Sequence, residues 1–179
     1  MRQRIGLLLQ ELDMRALTFR FLFFYHQSII FNMRKEKYQI MPVEGSFALT
    51  PVGIIHSPFC ELGDAPRQGR FSDVECIIEI LPEFTEGLQD VEHHPHLIIL
   101  YWLDRSDRTA LRATPPHTGI ENGVFATRSP NRPNPIGYGV VDLIRREGNR
   151  LFVQGLDALD GTPVLDIKPY LAGIDCVKE

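Results

Sequence analysis

The segment from Ala126 to Gly139, ATRSPNRPNPIGYG, constrains this chain more than any other. Pro130, Pro133 and Pro135 each hold φ near about −65° and bias the preceding residue towards extended backbone, which excludes a helix here. The loop therefore loses little entropy on ordering, and Arg128 and Arg132 sit on a stiffened scaffold. A guanidinium presents a planar fork that matches carboxylate or phosphate. Two such forks on a rigid platform point to recognition of an anion; the alternative is a structural proline loop with surface arginines.

The rest of the chain reads as strands. Val74 to Leu81, VECIIEIL, mixes apolar and acidic residues at near period two, the pattern of a half-exposed strand, whereas His96 to Leu103, HLIILYWL, is a continuous apolar run of strand length. Ile136 to Ile144 and Leu151 to Gln154 flank RREGNR, whose Gly148-Asn149 pair signals a hairpin. A short helix is expected around Glu83 to Asp90, and no strand is followed by the helical pattern that a parallel βαβ unit needs. The expected fold is thus mainly β: a small antiparallel β-barrel with short helices and long loops. Pro115-Pro116 and Asn122-Gly123 mark a long loop, Asp104 to Asn122, expected beside the proline-rich segment. Gly137-Tyr138-Gly139 lacks a third glycine and leads into a strand, which excludes the dinucleotide and phosphate-loop readings.

A length of 179 residues, with 44% hydrophobic and 23% charged, suits one globular domain. A net charge of −4 argues against a protein that coats nucleic acid electrostatically. Its distribution is uneven: residues 105–132 carry five arginines against two acids, a net +3, so the remainder holds −7. A basic patch on an acidic body suits a protein that grips a small part of an RNA, and the competing reading is a solvated loop. Cys60, Cys76 and Cys176 are odd in number and form no C-x-x-C pair, which places the chain in a reducing cytoplasm. The apolar stretch Ala16 to Phe31 is broken by Arg20, His26 and Gln27, so neither a membrane span nor a signal peptide is read there. Residues 1–45 are taken as an extension outside the fold, or a start-site artefact given Met33 and Met41; the alternative is a helix that packs on a partner. His93, His94 and His96 lack the further ligands of a zinc site, and no metal is expected.

Two more segments complete a pattern. GLDALDGTPVLDIKPYL, Gly155 to Leu171, joins Asp157, Asp160 and Asp166 to a Gly-Thr-Pro turn and a Lys-Pro-Tyr end, and FALTPVGIIHSPF spans Phe47 to Phe59. With RSPNRPNPIG they resemble the TsaA-like family of TrmO-type enzymes over about residues 46–172, leaving 173–179 as a tail. The resemblance implies a β-barrel tRNA methyltransferase that uses S-adenosylmethionine to methylate N6 of the threonylcarbamoyladenosine beside the anticodon. It also implies a homodimer acting on the tRNA anticodon loop, with no membrane association.

Carried over residue by residue, the resemblance places the cofactor against Gln68, Gly69 and Arg70, against Leu103 and Asp104, against Arg128 and Tyr138, and against Gln154, Gly155, Leu156 and Asp157. Arg128 suits the carboxylate of S-adenosylmethionine and Asp157 its ribose hydroxyls; a turn cap is the plainer reading of Asp157. Arg132 and Asp157 are the candidate catalytic residues, Arg132 by holding the substrate's threonyl carboxylate. Lys168 and Tyr170 are expected to meet tRNA phosphate and an anticodon base, and His96 to support the site. The proton acceptor stays open between the threonyl carboxylate and a site aspartate. Two other readings stand beside this one: a sensor that binds S-adenosylmethionine without turnover, and a methyltransferase for a small metabolite.

Overall fold

The computed structural model describes residues 48–177. The extension expected over residues 1–45 lies outside the described residues. Strands β1 (Gly53–His56), β2 (Glu75–Ile80), β3 (His96–Trp102), β6 (Ile136–Glu147), β7 (Arg150–Gln154) and β8 (Pro163–Pro169) close into a barrel in the order β1-β2-β7-β6-β3-β8. Every neighbouring pair is antiparallel, as the strand pattern requires. No helix among the described residues is long and apolar enough to cross a membrane.

Alternation along each strand fills the barrel. In β2, Cys76, Ile78 and Ile80 point inward while Glu75 is exposed. In β3, Leu97, Ile99 and Tyr101 join Ile55, Val141, Leu151, Val153 and Val164 in one core. Each fully buried aliphatic side chain contributes about 1.5–3 kcal/mol relative to exposure. The Gly148-Asn149 hairpin joins β6 to β7, with Gly148 at φ 62° supplying the positive φ such a turn demands. The side chain of Asn149 donates to the Ile80 carbonyl at 2.7 Å, tying the turn to β2.

The helix expected around Glu83 to Asp90 is a 3₁₀ helix, Pro82–Leu88, with Leu88 its one buried residue. A seven-residue segment with proline at its start and Gly87 near its end, anchored by Leu88 and the partly buried Phe84, has little helical propensity to extend it. The loop after β3 contains a minimal ribbon, β4 (Arg112–Ala113) with β5 (Asn122–Gly123). After β8 the chain turns into a short helix, α1 (Ala172–Asp175).

Two irregularities shape one end of the barrel. The β3–β8 register shifts between Leu100 and Tyr101, where Tyr101 pairs with Val164 after Leu100 pairs with Asp166. Such a bulge re-aims the neighbouring side chain. On the other flank Tyr101 pairs with Gly137 of β6, and a Cβ on Gly137 would overlap the Tyr101 ring. The bare glycine is what admits the phenol between β3 and β6.

Gly137→Ala is therefore expected to destabilise the fold by roughly 1–3 kcal/mol through overpacking. Urea unfolding measures it, and an unchanged midpoint would contradict this account of the β3–β6 contact.

Candidate functional site

The proline-rich loop is held from within. Arg132 Nε donates to the Ser129 carbonyl at 2.8 Å, and its Nη2 donates to the carbonyls of Val124 at 3.1 Å and Thr127 at 2.5 Å. Arg132 thus spends three of its five donors on carbonyls of its own loop, and it also lines the cleft between this loop and the segment around Leu62 to Gln68, so the grip on a substrate carboxylate expected of it would fall to its Nη1 hydrogens. The long loop lies alongside, as expected. The Asp107 amide donates to Asn131 Oδ1 at 3.0 Å, and Arg108 donates to the Pro133 carbonyl at 3.3 Å while lying over the Trp102 ring at 5.3 Å.

The basic patch resolves along the same lines. Arg105 donates to the carbonyls of Cys60 and Asp160, and Arg112 pairs with Glu121 at 2.6 Å. Four of the five arginines thus brace loops. Arg128 differs: it is exposed, and its hydrogen-bond partner among the described residues is Gln68 Oε1 at 3.1 Å. Most of its five donors stay available to a ligand.

Two clefts adjoin at Arg128. The first, about 350 Å³, lies between the proline-rich loop and the segment around Leu62 to Gln68, with Leu103, Asp104 and Arg132 on its walls. The second, about 360 Å³, is bounded by Gly69, Arg70, His96, Gly155 and Tyr170. Gln68, Arg128, Tyr138 and Asp157 line both.

Asp157 is fixed by two donors. Tyr101 OH donates to its Oδ1 at 2.5 Å, and the Gly69 amide donates to its Oδ2 at 3.2 Å. Tyr101 is 3% exposed. Burial, and then the Asp157 charge, push its hydroxyl far above the ordinary phenol range, so it remains a donor. Gly69 reaches this position because a side chain there would overlap the Gly155 carbonyl. Tyr101 is absent from the residues expected from sequence, where it reads as one more apolar position of a buried strand. Its signal is the glycine that faces it across the ladder.

In the second cleft His96 Nδ1 lies 2.7 Å from Asp142 Oδ1, and Arg70 Nη1 lies 3.4 Å from the same oxygen. The Tyr170 ring stands edge-on to the imidazole, with centroids 6.2 Å apart.

Of the expected cofactor contacts, Leu103 and Asp104 fall in the first cleft, Gly69, Arg70 and Gly155 in the second, and Gln68, Arg128, Tyr138 and Asp157 in both. Gln154 and Leu156 line neither. Gln154 Nε2 donates to the Asp73 carbonyl at 2.9 Å, and Leu156 is 1% exposed within the core. Tyr170 lines the second cleft, whereas Lys168 is paired with Asp166 at 2.6 Å and lines neither. Leu156, just beyond the end of β7, turns into the core, and the Lys168 ammonium is held by Asp166, two residues before it on β8.

Residues 54–176 match the tRNA-methyltransferase O N-terminal domain family, and the chain belongs to it. A protein of Archaeoglobus fulgidus described as a probable S-adenosyl-L-methionine-binding protein is 60% identical over 129 residues, 72% of this chain and 35% of that one. A second from the same organism, an S-adenosyl-L-methionine-binding protein, is 53% identical over 131 residues, 73% of this chain and 94% of that one. A crystal structure of TrmO from Pseudomonas aeruginosa superposes with a TM-score of 0.62 at 38% identity, covering 74% of this chain and 60% of that chain. The chain thus spans about a third of the first relative and three fifths of the crystallised protein.

Tyr101→Phe removes the donor to Asp157 while keeping the ring. A loss of about 1.5–3 kcal/mol in stability is expected for a hydrogen bond to a charged group. Chemical denaturation of the variant checks it, and a wild-type midpoint would show that Asp157 does not depend on the phenol.

Proposed function

We propose that this chain is an S-adenosylmethionine-dependent methyltransferase that methylates N6 of threonylcarbamoyladenosine beside the anticodon of a tRNA. The observation that carries the reading is the shared wall: two clefts of similar size meet at Gln68, Arg128, Tyr138 and Asp157. A group-transfer site needs a donor and an acceptor side by side, and this arrangement provides for both. Family membership and the cofactor named for the two Archaeoglobus relatives support S-adenosylmethionine as the donor.

The residues fit that molecule chemically. Arg128 offers open guanidinium donors to a carboxylate, and Asp157, holding one donor on each oxygen, keeps further lone pairs for hydroxyls. Leu62, Leu103 and Leu159 give the first cleft apolar walls. When bound, S-adenosylmethionine supplies a methyl group already activated on a sulfonium. The protein's task is then to orient the acceptor nitrogen and exclude water, effects worth up to about 7–11 kcal/mol in well-oriented systems. Tyr170 in the second cleft provides a face for a base of the anticodon loop. Phe125, Ile136 and Tyr138 are exposed around this region, and a second copy of the chain is the partner proposed to cover them.

Calorimetric titration with S-adenosylmethionine, followed by methyl transfer to tRNA with and without the threonylcarbamoyl group, tests the reading. Binding with transfer to modified tRNA alone is the expected result. The relatives described simply as binding proteins favour a second reading, a sensor, for which binding without transfer is the signature. Arg128→Ala is expected to weaken cofactor binding about 10- to 100-fold, the loss of a charge-assisted contact of about 1.5–3 kcal/mol. Equal affinity in wild type and variant would overturn the placement of the cofactor carboxylate.

A further inference from the structure

The register of β3 against β6 sets His96 directly opposite Asp142, so the barrel itself builds an imidazole–carboxylate pair. The carboxylate can only accept, so at 2.7 Å the neutral imidazole carries its hydrogen on His96 Nδ1 and its lone pair on Nε2. Among the described residues Nε2 has no hydrogen-bond partner, and the side chain is 43% exposed. It lines the second cleft together with Arg128, Tyr138 and Asp157, the residues that also wall the first.

We propose that His96, oriented by Asp142, is the general base that removes the N6 proton during methyl transfer. This rests on the methyltransferase reading above. The acceptor nitrogen belongs to a ureido group whose lone pair is delocalised, so its proton must leave as the new bond forms. The N6 lone pair forms the bond to the methyl carbon while the carbon–sulfur bond breaks, its electron pair staying on sulfur, which ends neutral. The N–H electron pair stays on nitrogen, and the proton passes to His96 Nε2 and later to water. One positive charge is thereby moved from sulfonium to imidazolium, where the Asp142 carboxylate lies in contact with it.

Asp157 suits this task less. Each of its oxygens already accepts a hydrogen, from Tyr101 and from Gly69, and the lone pairs that remain are the ones offered to the cofactor hydroxyls. The groups facing His96 are Asp142 on β6, Arg70 beside that carboxylate, and Tyr170 after β8, with Arg128 and Asp157 on the same cleft wall. Arg70 tempers the Asp142 charge without displacing the imidazole contact.

The test is single-turnover transfer to threonylcarbamoyl-modified tRNA at saturating S-adenosylmethionine, followed between about pH 5 and 9, the window in which an imidazole titrates. The wild-type rate is expected to rise along one limb. His96→Ala is expected to lose about 100-fold or more in rate together with that limb, to keep its affinity for S-adenosylmethionine, and to regain transfer with added imidazole. Asp142→Asn is expected to slow transfer and move the limb to lower pH. A His96→Ala protein with the wild-type rate and limb would overturn the proposal, as would parallel loss of cofactor affinity without imidazole rescue. Wild-type protein that binds the cofactor but never methylates modified tRNA would overturn the methyltransferase reading, and this proposal with it.

Discussion

The hydrogen bond from Tyr101 to Asp157 is the contact through which the barrel's packing reaches the candidate site. A phenol that is only 3% exposed must place its hydroxyl on a partner or bear the cost of an unpaired buried polar group. Gly137 opens the path for the ring, and the β3–β8 bulge falls at the same residue. The Gly69 amide closes on the other carboxylate oxygen, tying the loop between β1 and β2 to the segment after β7. Asp157 is thus held from two directions before any ligand arrives, the preorganisation that a polar site in a folded scaffold needs.

Around that fixed carboxylate the arginines divide into two kinds. Arg105, Arg108, Arg112 and Arg132 stabilise loops by donating to carbonyls or by pairing with an acid, whereas Arg128 keeps open donors at the junction of the clefts. Net charge along the sequence therefore counts guanidinium groups without showing which of them keep donors open to an anion. A guanidinium that satisfies backbone acceptors in a loop rich in proline substitutes for the ladder bonds such a loop cannot make.

Much of the fold was legible before the structure. Alternation in VECIIEIL, the continuous run HLIILYWL and the Gly148-Asn149 turn define β2, β3 and the β6–β7 hairpin, and the missing helical crossovers exclude a parallel sheet. The candidate site was legible as motifs and less so as side chains. Gln68, Arg128, Tyr138 and Asp157 do converge. Leu156 and Lys168 sit in the same motif, but core packing and a local ion pair hold them elsewhere. Tyr101 and the His96–Asp142 pair depend on strand register, a long-range property that no local pattern encodes.

The four side chains common to both clefts have a thermodynamic consequence. Gln68 and Arg128 are bonded to each other across the junction, so a molecule that draws Arg128 towards one cleft alters the wall of its neighbour. Occupancy of either side is then not energetically silent on the other. Whatever one ligand adds to the affinity of the second, the second returns to the first in equal measure.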